Sequence, residues 1–128
     1  MTTDIRDLIS FKLARLTSLN DRLGQRLFPQ EFGITLQEFR TLAIISYLEY
    51  ASVTSLAMES FRDPGQISRI VSNLIEKGLT ERVGANRRGG VLRLTEAGRT
   101  LVRQAVPFAA DRVNLLLAEL SDIERTQL

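Results

Sequence analysis

The chain contains no cysteine and no histidine among its 128 residues. The absence of cysteine excludes disulfides and thiol redox sensing, and the absence of both residues excludes most zinc sites. The usual nucleophile and the usual general base of enzymes are therefore missing as well. No paired-carboxylate pattern or phosphate-binding loop takes their place. We therefore expect no enzymatic activity, no metal and no cofactor.

Long apolar runs are also absent. No stretch reaches the length that spans a bilayer, and the N-terminus lacks the basic-then-apolar pattern of a signal peptide. Apolar residues make up 44% of the chain and charged residues 25%, which is ordinary for a globular protein. We expect a cytoplasmic protein with one domain-sized unit, large enough for a real core.

The net charge of +2 is small, but the charge is unevenly distributed. Residues 61–103 hold nine basic and four acidic residues, a net charge of +5. The rest of the chain holds eight basic and eleven acidic residues, a net charge of −3. Most of the basic residues are arginines, whose forked guanidinium suits phosphate and guanine. This asymmetry indicates a polyanionic partner for the middle of the chain.

The N-terminal part of the sequence predicts two helices. Apolar residues recur at helical spacing from about Asp4 to Phe28, which predicts a long first helix that Pro29 stops. The segment Thr35–Glu38 has the form of a capping box, so a second helix should begin there.

A short helix, a tight turn and a capped helix are predicted next. Ser52 can cap the third helix. Asp63 can cap the fourth, with Pro64 in its first turn, where a missing N–H does no harm. Gly78 should end the fourth helix in a left-handed conformation. This is the element order of a helix-turn-helix.

The remaining sequence predicts a hairpin and two further helices. Strands are expected over 79–83 and 91–94, joined by a polar, glycine-rich tip over 84–90. A fifth helix should open at Thr95 and a sixth near Asp122. The sixth has barely two turns before the sequence stops, so we expect the chain to be cut short there.

These elements predict a mainly α fold with a small β-hairpin wing. Residues 34–98 would form a winged helix-turn-helix DNA-binding lobe. Residues 1–33 and 99–128 would form long dimerisation helices, whose apolar stripes are too extensive for a monomer to cover. A helix beside a basic hairpin suits double-stranded DNA, because the helix can enter the major groove while the hairpin touches backbone or minor groove.

The sequence resembles the multiple-antibiotic-resistance regulator (MarR) family of bacterial winged-helix repressors over nearly its whole length. The resemblance is sharpest in three segments: Asp63-Pro64-x-x-Ile67-Ser68-Arg69-x-Val71-x-x-Leu74-x-x-Lys77-Gly78-Leu79, Asn86-Arg87-Arg88-Gly89 and Leu94-Thr95-Glu96-Ala97-Gly98. It implies a homodimeric transcriptional regulator, a repressor of a pseudo-palindromic operator. It also implies release from DNA by a small lipophilic or phenolic ligand.

Seven positions of the fourth helix are candidate DNA contacts. Gln66 and Arg69 lie near the N-terminus of the helix that the resemblance makes the recognition helix, where base edges are reached first. Glutamine pairs with adenine and arginine with guanine. Ser68, Ser72 and Asn73 are candidates for contacts with phosphates or neighbouring positions. Pro64 and Gly65 are small, so the backbone at the helix start can approach the groove closely. The alternative interpretation is a polar face that only meets solvent. For Pro64 and Gly65 it is simple capping geometry.

The tip of the hairpin carries two more candidates, Arg87 and Arg88. Either could enter the minor groove or bridge phosphates, or could simply be a solvated charge. The family wing commonly has an aspartate where this chain has Asn86, so any bond to Arg88 lacks charge assistance. Thr54 and Ser55 on the third helix are weaker candidates for phosphate contact.

Three residues are weaker candidates for a ligand site. Arg15 on the first helix could meet a carboxylate, and Tyr47 and Tyr50 near the end of the second helix could line the same cleft. An ion pair for Arg15 and packing for the tyrosines are the alternatives.

A second function stays open from the sequence alone. A winged helix can also serve as a protein–protein interaction or adaptor module without specific DNA binding, because the fold does not dictate the function. The +5 segment and the wing arginines favour DNA. Neither the operator nor the ligand can be read from the sequence.

Overall fold

The computed structural model describes residues 4–84, 90–118 and 122–126. Its elements, in chain order, are a 3₁₀ turn (Ile5–Asp7), α1 (Ile9–Phe32), α2 (Leu36–Leu48), α3 (Val53–Ser60), α4 (Pro64–Glu76), β1 (Thr80–Val83), β2 (Val91–Leu94), α5 (Glu96–Leu117) and α6 (Asp122–Thr126). The predicted fold class is confirmed: a winged helix-turn-helix flanked by long terminal helices.

Helix α1 begins and ends later than the sequence pattern predicts. The Asp4 carboxylate accepts the Arg6 backbone N–H at 2.9 Å and caps a single 3₁₀ turn. The prediction that Pro29 stops the helix is wrong, because α1 continues to Phe32. A proline removes one hydrogen bond, but here the rings of Phe28 and Phe32, one turn apart, pack together on the core side.

The caps of α2 and α3 follow the sequence. Thr35 and Glu38 form a reciprocal capping box at α2, with bonds of 2.8 and 3.0 Å between each side chain and the other's backbone N–H. Ser52 and Ser55 form a second capping box at α3. These local bonds satisfy the first N–H groups of each helix, which is why both helices start where the sequence indicates.

The end of α4 turns the chain into the hairpin. Gly78 has φ +74°, the left-handed conformation that favours glycine. Its N–H donates to the Ile75 carbonyl at 2.9 Å, and the Leu79 N–H donates to the Leu74 carbonyl at 3.0 Å. This is a Schellman ending, and it confirms the predicted stop at Gly78.

The hairpin is joined by a third extended segment that the sequence analysis missed. β1 and β2 pair antiparallel, with Glu81 opposite Arg93 and Val83 opposite Val91. In addition, Ala51 exchanges both backbone hydrogen bonds with Leu92, at 2.9 and 2.7 Å. The wing is therefore anchored to the segment between α2 and α3, on the far side of β2 from β1.

The core lies where α2, α3 and α4 meet β2 and α5. Side chains with no exposed surface come from all of these elements: Leu42, Ile45, Leu56, Ile67, Val71, Leu74, Leu92 and Ala105. The long helices α1 and α5 pack against each other, and both also contact α2. The ammonium of Lys12 pairs with Glu124 at 2.9 Å and ties α6 to α1.

Membrane-spanning helices were sought in the described part of the chain. None of the helices there combines the length and the apolar character needed to cross a bilayer.

Candidate nucleic-acid interface

Helix α4 starts as predicted, and its start is held by its own side chain. The Asp63 carboxylate accepts the backbone N–H groups of Gly65 at 3.0 Å and Gln66 at 3.3 Å. Pro64 occupies the first turn, where its missing N–H leaves no donor unsatisfied. The first turn is therefore capped by a residue of the same segment.

The two faces of α4 are sharply divided. Ile67, Val71 and Leu74 are completely buried and attach the helix to the core. The structure brings all seven predicted contact residues of this helix together in solvent, on its remaining surface: Pro64, Gly65, Gln66, Ser68, Arg69, Ser72 and Asn73. Within the described parts of the chain, the Arg69 guanidinium pairs with no carboxylate. It is therefore free to meet an external acceptor.

The candidates on α3 differ in their freedom. Thr54 is exposed. The Ser55 hydroxyl accepts the Ser52 N–H and donates to the Ser52 carbonyl, each at 2.9 Å. Ser55 therefore serves the capping box first, and a phosphate would have to compete with those two bonds.

The tip of the wing, with Asn86, Arg87 and Arg88, lies outside the described residues. The strands below it are described, and one arginine there has a clear role. Arg93 Nε donates to Glu81 Oε1 at 2.7 Å across the β1–β2 ladder. This bond to the carboxylate raises the pKa of Arg93 above its usual value. Arg93 is thus a structural brace at the root of the wing.

The chain was compared with known proteins. A sequence profile of the MarR family matches residues 34–85, the stretch that contains α2, α3, α4 and β1. A MarR/EmrR family transcriptional regulator from Acinetobacter sp. ADP1 superposes with a TM-score of 0.81 at 28% identity, covering 98% of this chain and 89% of that one. The chain is therefore similar to MarR-family regulators, in sequence over residues 34–85 and in fold over nearly its whole length.

Two other solved structures extend the comparison. A mutant MarR from E. coli, complexed with operator DNA, has a TM-score of 0.78 at 23% identity, covering 98% of this chain and 93% of that one. BpsR from Bordetella bronchiseptica, whose DNA binding is regulated by 6-hydroxynicotinic acid, has a TM-score of 0.78 at 21% identity, with coverages of 99% and 91%. At these identities the likeness shows the fold. No curated protein sequence matches the chain.

The structure places the three ligand candidates, Arg15, Tyr47 and Tyr50, in different surroundings. Arg15 lines a cavity of about 440 Å³ between α1 and the end of α5. Tyr50 lines a different cavity of about 250 Å³, with Arg93 and Arg99. The Tyr47 hydroxyl donates to the Glu59 carboxylate on α3, which raises the pKa of Tyr47.

A cavity that the sequence analysis missed lies between α1, α2 and α5. It has a volume of about 210 Å³, and its walls include three phenylalanines, Phe28, Phe39 and Phe108. Arg112 stands over the Phe108 ring at 5.0 Å from its centroid, and Arg40 pairs with Asp21 at 2.6 Å. No spacing along the sequence could reveal this site, because its walls combine α1 and α2 with α5, which follows the whole hairpin in the chain.

Proposed function

We propose that this protein is a cytoplasmic, homodimeric, sequence-specific DNA-binding regulator that represses transcription from a pseudo-palindromic operator. The observation that carries the proposal is the division of α4. Ile67, Val71 and Leu74 on its apolar face are completely buried, while its polar face is exposed and carries Arg69, which pairs with no carboxylate of the described residues. The match of residues 34–85 to the MarR family and a structurally similar MarR held on operator DNA support the same function.

In the proposed complex, α4 lies in the major groove. Gln66 and Arg69 then read base edges, because they lie on the first turns of the helix that enters. Ser68, Ser72 and Asn73 contact phosphates or neighbouring positions, and Thr54 meets the backbone. Arg87 and Arg88 on the wing contact the adjacent minor groove or its phosphates.

The dimer is supported by the apolar surface that the terminal helices leave uncovered. Eight large apolar side chains of the N-terminal segment and α5 are each between 38% and 67% exposed: Ile5, Leu8, Leu13, Leu19, Leu23, Val106, Val113 and Leu115. So much apolar surface on a monomer indicates a protein partner. A two-fold axis would let this surface bury itself against its copy. Arg15 lies beside it and would pair or pack within the interface.

The ligand site of the proposal is the cavity between α1, α2 and α5. Its aromatic walls suit a flat apolar body, and the guanidinium of Arg112 can meet a carboxylate or phenolate. A ligand there would bind preferentially to one arrangement of the three helices. If the distance between the two recognition helices in that arrangement does not match the spacing of the half-sites, the ligand lowers the affinity for DNA by linkage.

The function is tested by Arg69→Ala. We expect a loss of about 1–3 kcal/mol in affinity for the operator and weaker discrimination at one base pair per half-site, because a bidentate contact to guanine is removed. Fluorescence anisotropy on a labelled fragment from upstream of the gene, at about 0.15 M salt with excess nonspecific competitor, measures both effects.

Arg26→Ala is the matched control, because it removes the same charge from an exposed position on α1. Equal losses for the two variants would mean that Arg69 acts only through its charge. Wild-type binding without any sequence preference, weak at physiological salt, would favour the adaptor function instead.

The ligand site is tested by Arg112→Gln. With 6-hydroxynicotinic acid as the first of a panel of small aromatic carboxylic acids, we expect about a tenfold higher concentration for half-release from DNA, since a charge-assisted bond contributes about 1.5–3 kcal/mol. Affinity for DNA without ligand should stay within about twofold, because Arg112 lies outside the DNA-facing surface. Arg103→Gln, an exposed arginine on the same helix, should leave the release curve unchanged.

A further inference from the structure

One ammonium group joins the ends of three helices. Lys77, at the C-terminal cap of α4, places its Nζ 2.7 Å from Glu38 Oε1 in the first turn of α2. The same Nζ donates to the carbonyl of Gly33, the C-terminal cap of α1, at 3.2 Å. Lys77 lies 39 residues from Glu38 and 44 from Gly33, so no local pattern predicts these bonds.

The carboxylate that receives Lys77 is almost completely buried. Glu38 is 3% exposed, and its Oε1 also accepts the Thr35 backbone N–H at 2.8 Å. A buried carboxylate is tolerated only when it is paired and hydrogen-bonded, so Glu38 demands a cation in this place. Lys77 also brings positive charge to carbonyl groups at the ends of α1 and α4, where the helix dipoles favour it.

Because this contact lies at one end of α4, a small change there would displace the proposed DNA contacts at the other end. α4 has 13 residues, so it is about 20 Å long at 1.5 Å per residue. Lys77 lies at one end, while Gln66 and Arg69 lie toward the other. A tilt of about 10° at the Lys77 end would move the far end by about 3 Å. Hydrogen bonds to base edges tolerate only a few tenths of an ångström.

We infer that Lys77 is a positioning residue for DNA binding. Through Glu38 and the Gly33 carbonyl, its ammonium holds the recognition helix at a set angle to the end of α1. α1 belongs to the proposed dimerisation helices, so this angle sets the distance between the two recognition helices of a dimer. The inference rests on the proposed dimeric, two-half-site function and adds to it the residue that sets the spacing.

The test compares three forms of the full chain: the wild type, a double variant that removes both charges and a variant that keeps a cation. Lys77→Met alone leaves the buried Glu38 carboxylate without a cation, which endangers folding. The double variant Lys77→Met/Glu38→Gln removes both charges, and the glutamine can still accept the Thr35 N–H. Lys77→Arg keeps a cation and serves as the conservative control.

Each form is titrated against the operator, against operators with one base pair added or removed between the half-sites, and against a single half-site. We expect the double variant to lose at least tenfold in affinity for the natural spacing and less than twofold for the single half-site. Its preference among spacings should flatten, while Lys77→Arg should keep the wild-type preference. Equal losses on the operator and the half-site, or no loss on either, would overturn the inference. If the wild type prefers the natural operator, the proposed function stands whatever the variants do. If the wild type shows no such preference, the proposed function itself has failed.

A second readout needs no DNA. The chain has no cysteine, so Ser72→Cys on the exposed face of α4 gives one unique site for a spin label on each protomer. The distance between the two labels of a dimer should be narrowly distributed in the otherwise wild-type chain and in Lys77→Arg. It should shift or broaden by at least about 3 Å in the double variant, the displacement that the helix length implies. An unchanged distribution would overturn the inference.

Discussion

Gly98→Ala is expected to lower the free energy of unfolding by about 3 kcal/mol, at the upper end of ordinary overpacking effects. A Cβ at this buried position in the first turn of α5 would lie 2.0 Å from the Leu79 carbonyl oxygen and 3.1 Å from its carbon. The obstacle is backbone, so no side-chain rotation relieves it. The same Leu79 carbonyl accepts the Thr95 N–H at 3.1 Å, which holds it in place beside the cap of α5.

Thermal and urea denaturation followed by circular dichroism measure this loss. About 3 kcal/mol corresponds to roughly 10 °C in the midpoint for a chain of this size. The proteins should be compared at one concentration, because unfolding of the proposed dimer would depend on concentration.

Gly24→Ala is the matched control for Gly98→Ala. It adds the same methyl group to a buried glycine within a helix, where the nearest atoms, at 2.9 and 3.0 Å, are the terminal methyl carbons of Leu36. These can rotate away, and alanine favours the helix over glycine by about 1 kcal/mol. We expect little net change. Similar destabilisation of both variants would contradict the close approach of α5 to the Leu79 backbone.

Ile67→Ala is expected to cost about 2–5 kcal/mol, because it removes a completely buried side chain and leaves a cavity. Ile67 is the first of the three buried residues that attach α4 to the core. The loss should appear as a lower midpoint of denaturation with an unchanged urea dependence of the unfolding free energy, since the surface exposed on unfolding changes little.

Ile70→Ala makes the same chemical change one turn later on α4, at a half-buried position. It should cost only about 1–2 kcal/mol, since less apolar surface leaves the water there. Comparable losses at both positions would show that α4 is rotated relative to the described packing. The polar face assigned to DNA would then be wrong as well.

Several elements could be predicted because their causes are local. Asp63 bonds to N–H groups two and three residues ahead, and Thr35 and Glu38 cap each other within a single turn. Gly78 supplies the left-handed residue that a Schellman ending needs. Such bonds join residues that are close in the chain, so the residue types alone indicate them.

Other features depended on residues brought together from a distance. Pro29 marks a helix stop by local rules, yet α1 continues through it, where Phe28 and Phe32 pack on the core side. The pairing of Ala51 with Leu92 spans 41 positions and involves an isolated bridge, too short to give an alternating pattern. In the first case tertiary packing outweighed the local preference of proline. In the second case the sequence carried no local pattern to indicate the pairing.

The candidate site divides in the same way. The exposed face of α4 follows from helical periodicity, because burying Ile67, Val71 and Leu74 on one side leaves Gln66 and Arg69 outside. The proposed ligand cavity does not follow from it, because Phe28, Phe39 and Phe108 meet only once three helices have packed. Arg15 and Tyr50 line different cavities and Tyr47 bonds to Glu59, which are arrangements that depend on contacts between residues distant in the chain.

The order of the helices, their caps, the solvent-facing side of α4 and the excess of arginine around it all follow from the amino-acid sequence. Each depends on contacts within a few residues or on composition. The position of the cavity and the contacts of Lys77 with Glu38 and Gly33 follow from tertiary packing alone. Those arrangements depend on the angles between packed helices, and such angles are set by the fit of side chains across interfaces that a linear pattern does not contain.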